Sequence, residues 1–289
     1  MSPLCIVFIV FGALVNLSKY TMFNINFKNN WVSWIKDVDL SEPLSEEISQ
    51  ELFLMLCHKK VIVLKNQKLT DKQLIQVAGI FGRVWDETDI DCNFTEYDLK
   101  KKSLKENGQV TLLDRDQFLV NTGLQWHHDL GFQAIETLPG RLLYAVELDK
   151  EKPITPTFWI NSALTVKMLT TKEKEILFNS YYLIKNSNGT YIRRPCINKH
   201  PITNELLFNL DETAHKILGF DGNTSDFVYE IIMRMHEHEE VIYRHDWEEN
   251  DLVIYDNTGT LHARQYTNLE KRRLHRVTFD INWFKYNGY

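Results

Sequence analysis

The chain has 289 residues, 44% of them hydrophobic and 12% aromatic, with a formal net charge of −6. That apolar content supports one large core or two small ones and excludes a disordered chain, and the charge excludes a broad basic surface for nucleic acid or an anionic membrane. Cys5, Cys57, Cys92 and Cys196 lack Cys-x-x-Cys spacing, so they are expected as reduced, buried thiols and not as a disulfide frame or a zinc site.

Residues 4–17 are mostly apolar, but the stretch is shorter than the roughly 20 residues a membrane-crossing helix needs. No Lys or Arg precedes it, so the charged start of a secretory signal is missing. Residues 1–21 are therefore expected to be an apolar extension outside the fold, either a start assigned too early or a non-catalytic addition. A weak membrane anchor is its functional alternative. Residues 22–289 then form a single domain.

Residues 45–58 carry Ile48, Leu52, Met55 and Leu56 at helical spacing. Residues 61–64 are a β-branched run, expected as a buried strand. Thr70 and Gln73 make a capping box ahead of the apolar face Leu74, Val77, Ala78 and Phe81, and Gly82 is expected as the C′ stop. Residues 83–110 are polar, with an acidic run at 86–91 and a basic run at 100–102; they read as solvated loop, or functionally as a flexible lid over a site. From Thr111 the pattern turns to strands, at 112–113, 118–120, 142–146, 157–160, 206–208, 252–256 and 274–284. Helices are expected at 170–180 and 224–240. Strands with helical insertions imply a mainly β fold with flanking helices, a double-stranded β-helix (jelly roll, cupin-like).

The chemistry starts at residues 125–132, Gln-Trp-His-His-Asp-Leu-Gly-Phe. On an extended segment His127 and Asp129 share a face and His128 points away. One imidazole and one carboxylate side by side fill two adjacent positions on a metal. The third ligand is sought far along the chain, at His262. Two His and one carboxylate on one face leave three positions open, the facial triad of non-heme Fe(II) oxygenases. His236-Glu237-His238 is not a second cluster, because residues two apart on a helix face different ways; it reads as an exposed, charged helix end. His200, His215 and His245 are expected to be structural.

Together, Trp126-His127-x-Asp129, Asp256-Asn257 with Leu261-His262-Ala263, and Arg272-x-Leu274-His275-Arg276 resemble the TauD/TfdA family of Fe(II)/2-oxoglutarate dioxygenases. The resemblance runs from about Asp39 to the C-terminus. It implies Fe(II), 2-oxoglutarate as cosubstrate and O2, with His127, Asp129 and His262 as the catalytic metal ligands. It also implies an Arg for the distal carboxylate of 2-oxoglutarate, a role suited to a planar, two-pronged donor. Matching backward from His275-Arg276 places that residue at Arg272, and matching forward from His262 places it at Arg273. Arg272 is preferred because it shares a strand face with Leu274 and Arg276. Thr157 matches a Thr that helps hold the same carboxylate, although the family's preceding Gly-Gly-Asp is absent.

Arg276 completes the anion-binding set and holds the substrate anion in sulfonate-oxidising relatives; the plainer reading is a strand Arg paired with an acidic neighbour. The family's Asn four residues before the first ligand is Gly123 here, and no His follows Phe81-Gly82, so a taurine-like substrate is not expected. Trp85, Phe94, Tyr97 and Phe132 are aromatic candidates for a pocket. A carboxylate at Asp129 separates the chain from related halogenases, which leave that position small.

The resemblance thus implies an oxygenase that hydroxylates or desaturates a small carboxylate-bearing metabolite, with release of succinate and CO2. Its aromatic content is similar to that of secondary-metabolism members that process the isonitrile derivative of tyrosine. The alternatives are a metal-dependent hydrolase on a similar β scaffold and a catalytically silent binding protein of the same fold. The expected partner is a small-molecule substrate, with no nucleic acid, no membrane beyond the N-terminal segment, and a homo-oligomer left open. The expected compartment is the cytoplasm.

Overall fold

A computed structural model describes residues 30–36, 38–89, 104–114, 124–131, 138–186, 189–209, 211–212, 214–219, 226–264 and 270–281, together with three short N-terminal strands. Of these three, β1 (Val7–Val10) and β2 (Ala13–Asn16) pair only with each other, whereas β3 (Asn24–Asn26) joins the main sheet.

The main sheet has eight strands in the order β3-β4-β5-β17-β9-β19-β7-β6. They are β3, β4 (Val32–Lys36), β5 (Val61–Leu64), β6 (Leu104–Lys105), β7 (Val110–Leu113), β9 (Gly140–Leu148), β17 (Leu252–Tyr255) and β19 (Arg272–Phe279). Only β4 and β5 run parallel. The second sheet is antiparallel in the order β16-β10-β18-β8, from β8 (Leu124–His127), β10 (Thr157–Asn161), β16 (Ile242–His245) and β18 (Thr260–Arg264).

Period-two alternation sorts the main sheet's side chains between two cores. On the inner face Val61, Val63, Leu143, Ala145, Val253, Tyr255 and Leu274 pack against Trp159 and Tyr243 of the second sheet. That shared cluster makes the two sheets the walls of a jelly roll. On the outer face Ile62, Leu64, Leu142, Ile254, Val277 and Phe279 pack against two helices. Strands covered on both sides read as unbroken apolar runs, as β5 and β17 do.

The two helices are α1 (Glu46–Lys59) and α2 (Asp71–Phe81), bearing on the sheet through Leu52, Phe53, Leu56, Leu74, Val77, Ala78 and Phe81. Ser45 caps α1 by accepting from Ile48 N at 3.3 Å. Thr70 and Gln73 form both halves of the capping box of α2. Helix α2 stops at Gly82 as expected, but Gly82 is extended (φ 166°) and not left-handed; the chain leaves the helix straight toward Val84, which bridges to Phe279.

An outer lobe lies between β10 and β16. It contains α3 (Ser162–Met168), α4 (Thr171–Phe178), β11 (Tyr181–Lys185), β12 (Tyr191–Pro195), β13 (Ile197–Lys199), β14 (Leu206–Phe208), β15 (Lys216–Leu218) and α5 (Asp226–His236). Its own cluster includes Leu177, Tyr182, Phe208, Val228 and Ile232.

Residues 104–113 are sheet edge rather than lid, because β6 and β7 pair with each other and β7 pairs with β19. The expected strand at 118–120, the basic run at 100–102 and residues 282–284 lie outside the described residues. Cys57 and Cys196 are buried free thiols. Among the described residues no helix is long and apolar enough to cross a membrane.

Candidate metal centre

Strands β8 and β18 lie side by side with His262 opposite His127, and their rings sit 4.2 Å apart between centroids. Asp129 reaches the same point by a different route from the one expected. The strand ends at His127, and the chain turns through Leu130 in a left-handed conformation (φ 61°). The turn still brings Asp129 Oδ1 to 3.9 Å from His127 Nε2 and 3.8 Å from His262 Nε2. All three donor atoms lie within 4.8 Å of one another. His128 points away as expected, and is buried with its backbone N–H donating to Asp211 Oδ2 at 3.0 Å.

Each donor is poised for a cation. His127 Nδ1 lies 2.7 Å from the Gln125 carbonyl; as donor to that oxygen it leaves Nε2 with a free lone pair. Burial, aided by His127, pushes His262 down to about 3, against the pull of Asp129, so its ring is neutral. Burial alone would raise the Asp129 carboxyl, but Arg141, with Arg276 behind it, holds it well below the usual carboxylate range. Arg141 Nε donates to Asp129 Oδ2 at 2.9 Å and the Tyr255 hydroxyl to the same oxygen at 3.3 Å, which leaves Oδ1 toward the imidazoles.

The backbone of Asp129 is clamped by Asn257. Its side chain accepts from Asp129 N at 3.0 Å and donates to Asp129 O at 2.9 Å. Asn257 is fixed by the turn around it: Asp256 Oδ1 accepts from Thr258 N and Gly259 N at 3.1 Å, and Asp256 Oδ2 faces His200 Nε2 at 2.8 Å and Lys60 Nζ at 3.4 Å. Any Cβ at Gly259 would stand 2.7 Å from both Asp256 Oδ2 and Lys60 Cδ, so the turn closes only with glycine there.

A cationic cradle lies along the same wall. Trp159 of β10 faces His262, and Thr157 follows two residues further along, about 7 Å at strand rise. The Thr157 hydroxyl accepts from Arg272 Nη2 and from Trp247 Nε1, both at 2.9 Å. The Arg272 guanidinium also lies 5.5 Å from the centre of the Trp247 ring. Its Nε has no partner, and among the described residues no carboxylate stands within 4 Å of it. Burial, with Arg264 beside it, pulls this guanidinium below its ordinary value, and Glu270 opposes them. A guanidinium keeps its proton at working pH, so the imbalance calls for an anion. Arg273 lies on the opposite face, engaged by Asp114 and Glu147.

Residues 156–278 match the family described as Taurine catabolism dioxygenase TauD, TfdA family. The chain is 23% identical over 267 residues to the alpha-ketoglutarate-dependent 2,4-dichlorophenoxyacetate dioxygenase of Cupriavidus pinatubonensis, covering 84% of this chain and 92% of that one. Among solved structures, a taurine dioxygenase from Burkholderia xenovorans superposes with a TM-score of 0.72 at 18% identity, over 90% of this chain and 91% of the other. AAD-2 in complex with Mn(II) and N-oxalylglycine gives a TM-score of 0.69 at 18% identity, over 90% and 98%. The match to the TauD/TfdA family model thus spans the second half of the jelly roll, from Thr157 through His262 to Arg276, and the likeness to the dioxygenase of Cupriavidus pinatubonensis extends over most of the chain.

The donor set fits Fe(II): two imidazole nitrogens and one carboxylate oxygen, converging from one side. The unmatched Arg272 guanidinium fits the free carboxylate of the cosubstrate.

Arg276 is placed otherwise than the anion-binding set implied. It donates through Nη2 to Glu87 Oε2 at 2.8 Å, and its Nη1 lies 3.9 Å from Asp129 Oδ2. Glu87 belongs to the acidic run read as solvated, yet it is buried. Its Oε2 also accepts from the Thr111 hydroxyl at 2.7 Å, and its Oε1 from Arg141 Nη1 at 3.3 Å and from the Thr278 hydroxyl. Burial would raise this carboxyl, but Arg276 and Arg141 with the two hydroxyls hold it at about 2. The plainer reading, a strand Arg paired with an acidic neighbour, is the one the contacts bear out.

Sequence reading passed over Glu87, Arg141, Tyr255 and the clamp role of Asn257. Arg141 did carry a signal, as a charged residue inside the apolar run 138–146, where a lone charge needs a buried partner. The pocket aromatics are not confirmed: Trp85 is tied to Asp280 Oδ1 at 2.6 Å, and Phe94, Tyr97 and Phe132 lie outside the described residues. His236 is not exposed either; it is buried at the end of α5 with Nδ1 2.8 Å from Glu212 Oε1. His200 and His245 are buried beside Asp256 and Asp251, and His215 packs on Tyr191 with 4.8 Å between ring centroids.

Proposed function

We propose that this chain holds one Fe(II) through His127 Nε2, Asp129 Oδ1 and His262 Nε2, and the distal carboxylate of 2-oxoglutarate through Arg272 and Thr157. The observation that carries the reading is the convergence of the three donors within 4.8 Å. With metal, cosubstrate and O2 bound, decarboxylation of 2-oxoglutarate to succinate and CO2 supplies the oxidising power for a C–H bond of a small molecule. The chain's own part is positional. Asn257 fixes the backbone of Asp129, Arg141 and Tyr255 fix its second oxygen, and the Gln125 carbonyl sets the tautomer of His127. A hydrolase reading finds no support among the described residues, where Glu87, the further acid beside the centre, is fully engaged by two guanidinium groups and two hydroxyls.

The catalytic unit is residues 22–289. The finer proposal for substrate is an aromatic metabolite of the isonitrile-processing branch, hydroxylated or desaturated; it rests on the sequence resemblance, and turnover of the isonitrile derivative of tyrosine tests it. A carboxylate on that substrate gains no support at Arg276, which Glu87 occupies. The buried thiols of Cys57 and Cys196 support a reducing compartment such as the cytoplasm.

Titration with Mn(II) tests the metal site without turnover. One equivalent is expected to bind the wild type, and binding is expected to be lost in His127→Ala, Asp129→Ala and His262→Ala but kept in His128→Ala. Full binding by Asp129→Ala would sink the assignment.

A further inference from the structure

The Glu87–Arg276 pair changes what the open side of the centre offers a substrate. Arg276 shares the inner face of β19 with Arg272 and Leu274 and stands beside the metal donors, its Nη1 3.9 Å from Asp129 Oδ2. Here that guanidinium already has its carboxylate, at 2.8 Å. We propose that Glu87 is a specificity-determining residue: by occupying Arg276 it removes the anion anchor, so the group that the substrate presents there is uncharged. The proposal rests on the oxygenase reading above.

The charges around the metal ligands support it. Asp129 and Glu87 carry two negative charges, and Arg141 and Arg276 carry two positive ones. They meet in a continuous chain, Asp129 to Arg141 at 2.9 Å, Arg141 to Glu87 at 3.3 Å and Glu87 to Arg276 at 2.8 Å. These four side chains pair with one another before metal and cosubstrate add their own charges, so the Arg276 guanidinium is already matched by a carboxylate of the chain.

Displacing Glu87 is also disfavoured. Its side chain is fully buried, and both oxygens are taken by the two guanidinium groups and the hydroxyls of Thr111 and Thr278. A carboxylate built into the chain competes at an effective concentration that a dissolved metabolite does not reach. Arg272 presents the reverse case, a buried guanidinium with no carboxylate within 4 Å among the described residues. The guanidinium left for an external anion is therefore that of Arg272, on the cosubstrate's side, while that of Arg276 is taken by Glu87.

The test uses full-length protein loaded with Mn(II) and 2-oxoglutarate, titrated by calorimetry with phenylacetate and with phenylacetamide, which share a shape and differ in charge. The wild type is expected to bind the two within about threefold of each other. Glu87→Gln keeps the volume and frees Arg276, and it is expected to prefer the carboxylate by about tenfold or more, the equivalent of one charge-assisted contact. Adding Arg276→Gln to that variant is expected to erase the preference. A tenfold preference for phenylacetate in the wild type overturns the proposal, and that comparison needs no variant to fold. A Glu87→Gln protein that binds Mn(II) and 2-oxoglutarate but gains no preference overturns it as well. Failure of the wild type to bind Mn(II) and 2-oxoglutarate would instead count against the oxygenase reading itself.

Discussion

Replacing Arg272 by methionine keeps most of the side-chain bulk and removes the guanidinium. In the structure this group is buried, donates to Thr157 at 2.9 Å, lies over Trp247 and has no carboxylate within 4 Å among the described residues. If 2-oxoglutarate supplies the missing anion, the variant loses one half of a buried ion pair, at a cost of about 3–5 kcal/mol. At about 1.4 kcal/mol per decade this is roughly 150- to 5,000-fold in the 2-oxoglutarate concentration required. Arg273→Ala is the control, since it removes a half-exposed guanidinium from Asp114 and Glu147 on the other face and is expected to change the requirement less than about threefold. The assay follows succinate release against 2-oxoglutarate concentration, with calorimetric binding to the Mn(II) protein as a turnover-free check. Loss of cosubstrate affinity in Arg273→Ala alone would refute the register, and no change in either variant would refute the cradle.

Arg141→Met should destabilise the protein by about 3–5 kcal/mol in urea unfolding, because it leaves Glu87 and Asp129 short of a buried counter-ion; a loss below about 1 kcal/mol would contradict the network. Gly140→Ala places a Cβ against the Phe279 ring and should lower stability by about 1–3 kcal/mol through overpacking, visible as a lower thermal midpoint. The metal-free protein should lose stability as pH falls below about 6.5. His262 is held neutral by burial, with its value pushed to about 3, so the unfolded chain takes up a proton in that window that the folded chain refuses. Buried His245 has the same sign. A urea midpoint that stays flat from pH 7.5 to 5 would contradict this.

The parts of the molecule that were legible in the sequence are those with local signals. The Thr70–Gln73 capping box, the apolar stripes of α1 and α2 and the unbroken runs of β5 and β17 each specify their own element. The three candidate donors were legible because the His-x-Asp pair and the distant His262 stand with the Arg272-to-Arg276 stretch in a combination that resembles a known family, where the His-x-Asp pair alone is weak. The backbone that carries them was not: the strand ends at His127, and a left-handed Leu130, a residue type without preference for that conformation, turns the chain. The ion-pair network was illegible for a different reason. Glu87 stands in an acidic stretch that resembles solvated loop, and its partners Arg141 and Arg276 are 54 and 189 residues away, so only the assembled jelly roll brings them together.

The most direct test is Fe(II)-dependent release of CO2 from 2-oxoglutarate labelled at its first carbon, measured with and without iron and in the Asp129→Ala and His262→Ala variants. The structure predicts one CO2 for each succinate in the iron-loaded wild type and only background release in both variants. Release that persists in Asp129→Ala, or that proceeds equally well without iron, would contradict the assignment of His127, Asp129 and His262 as the metal centre.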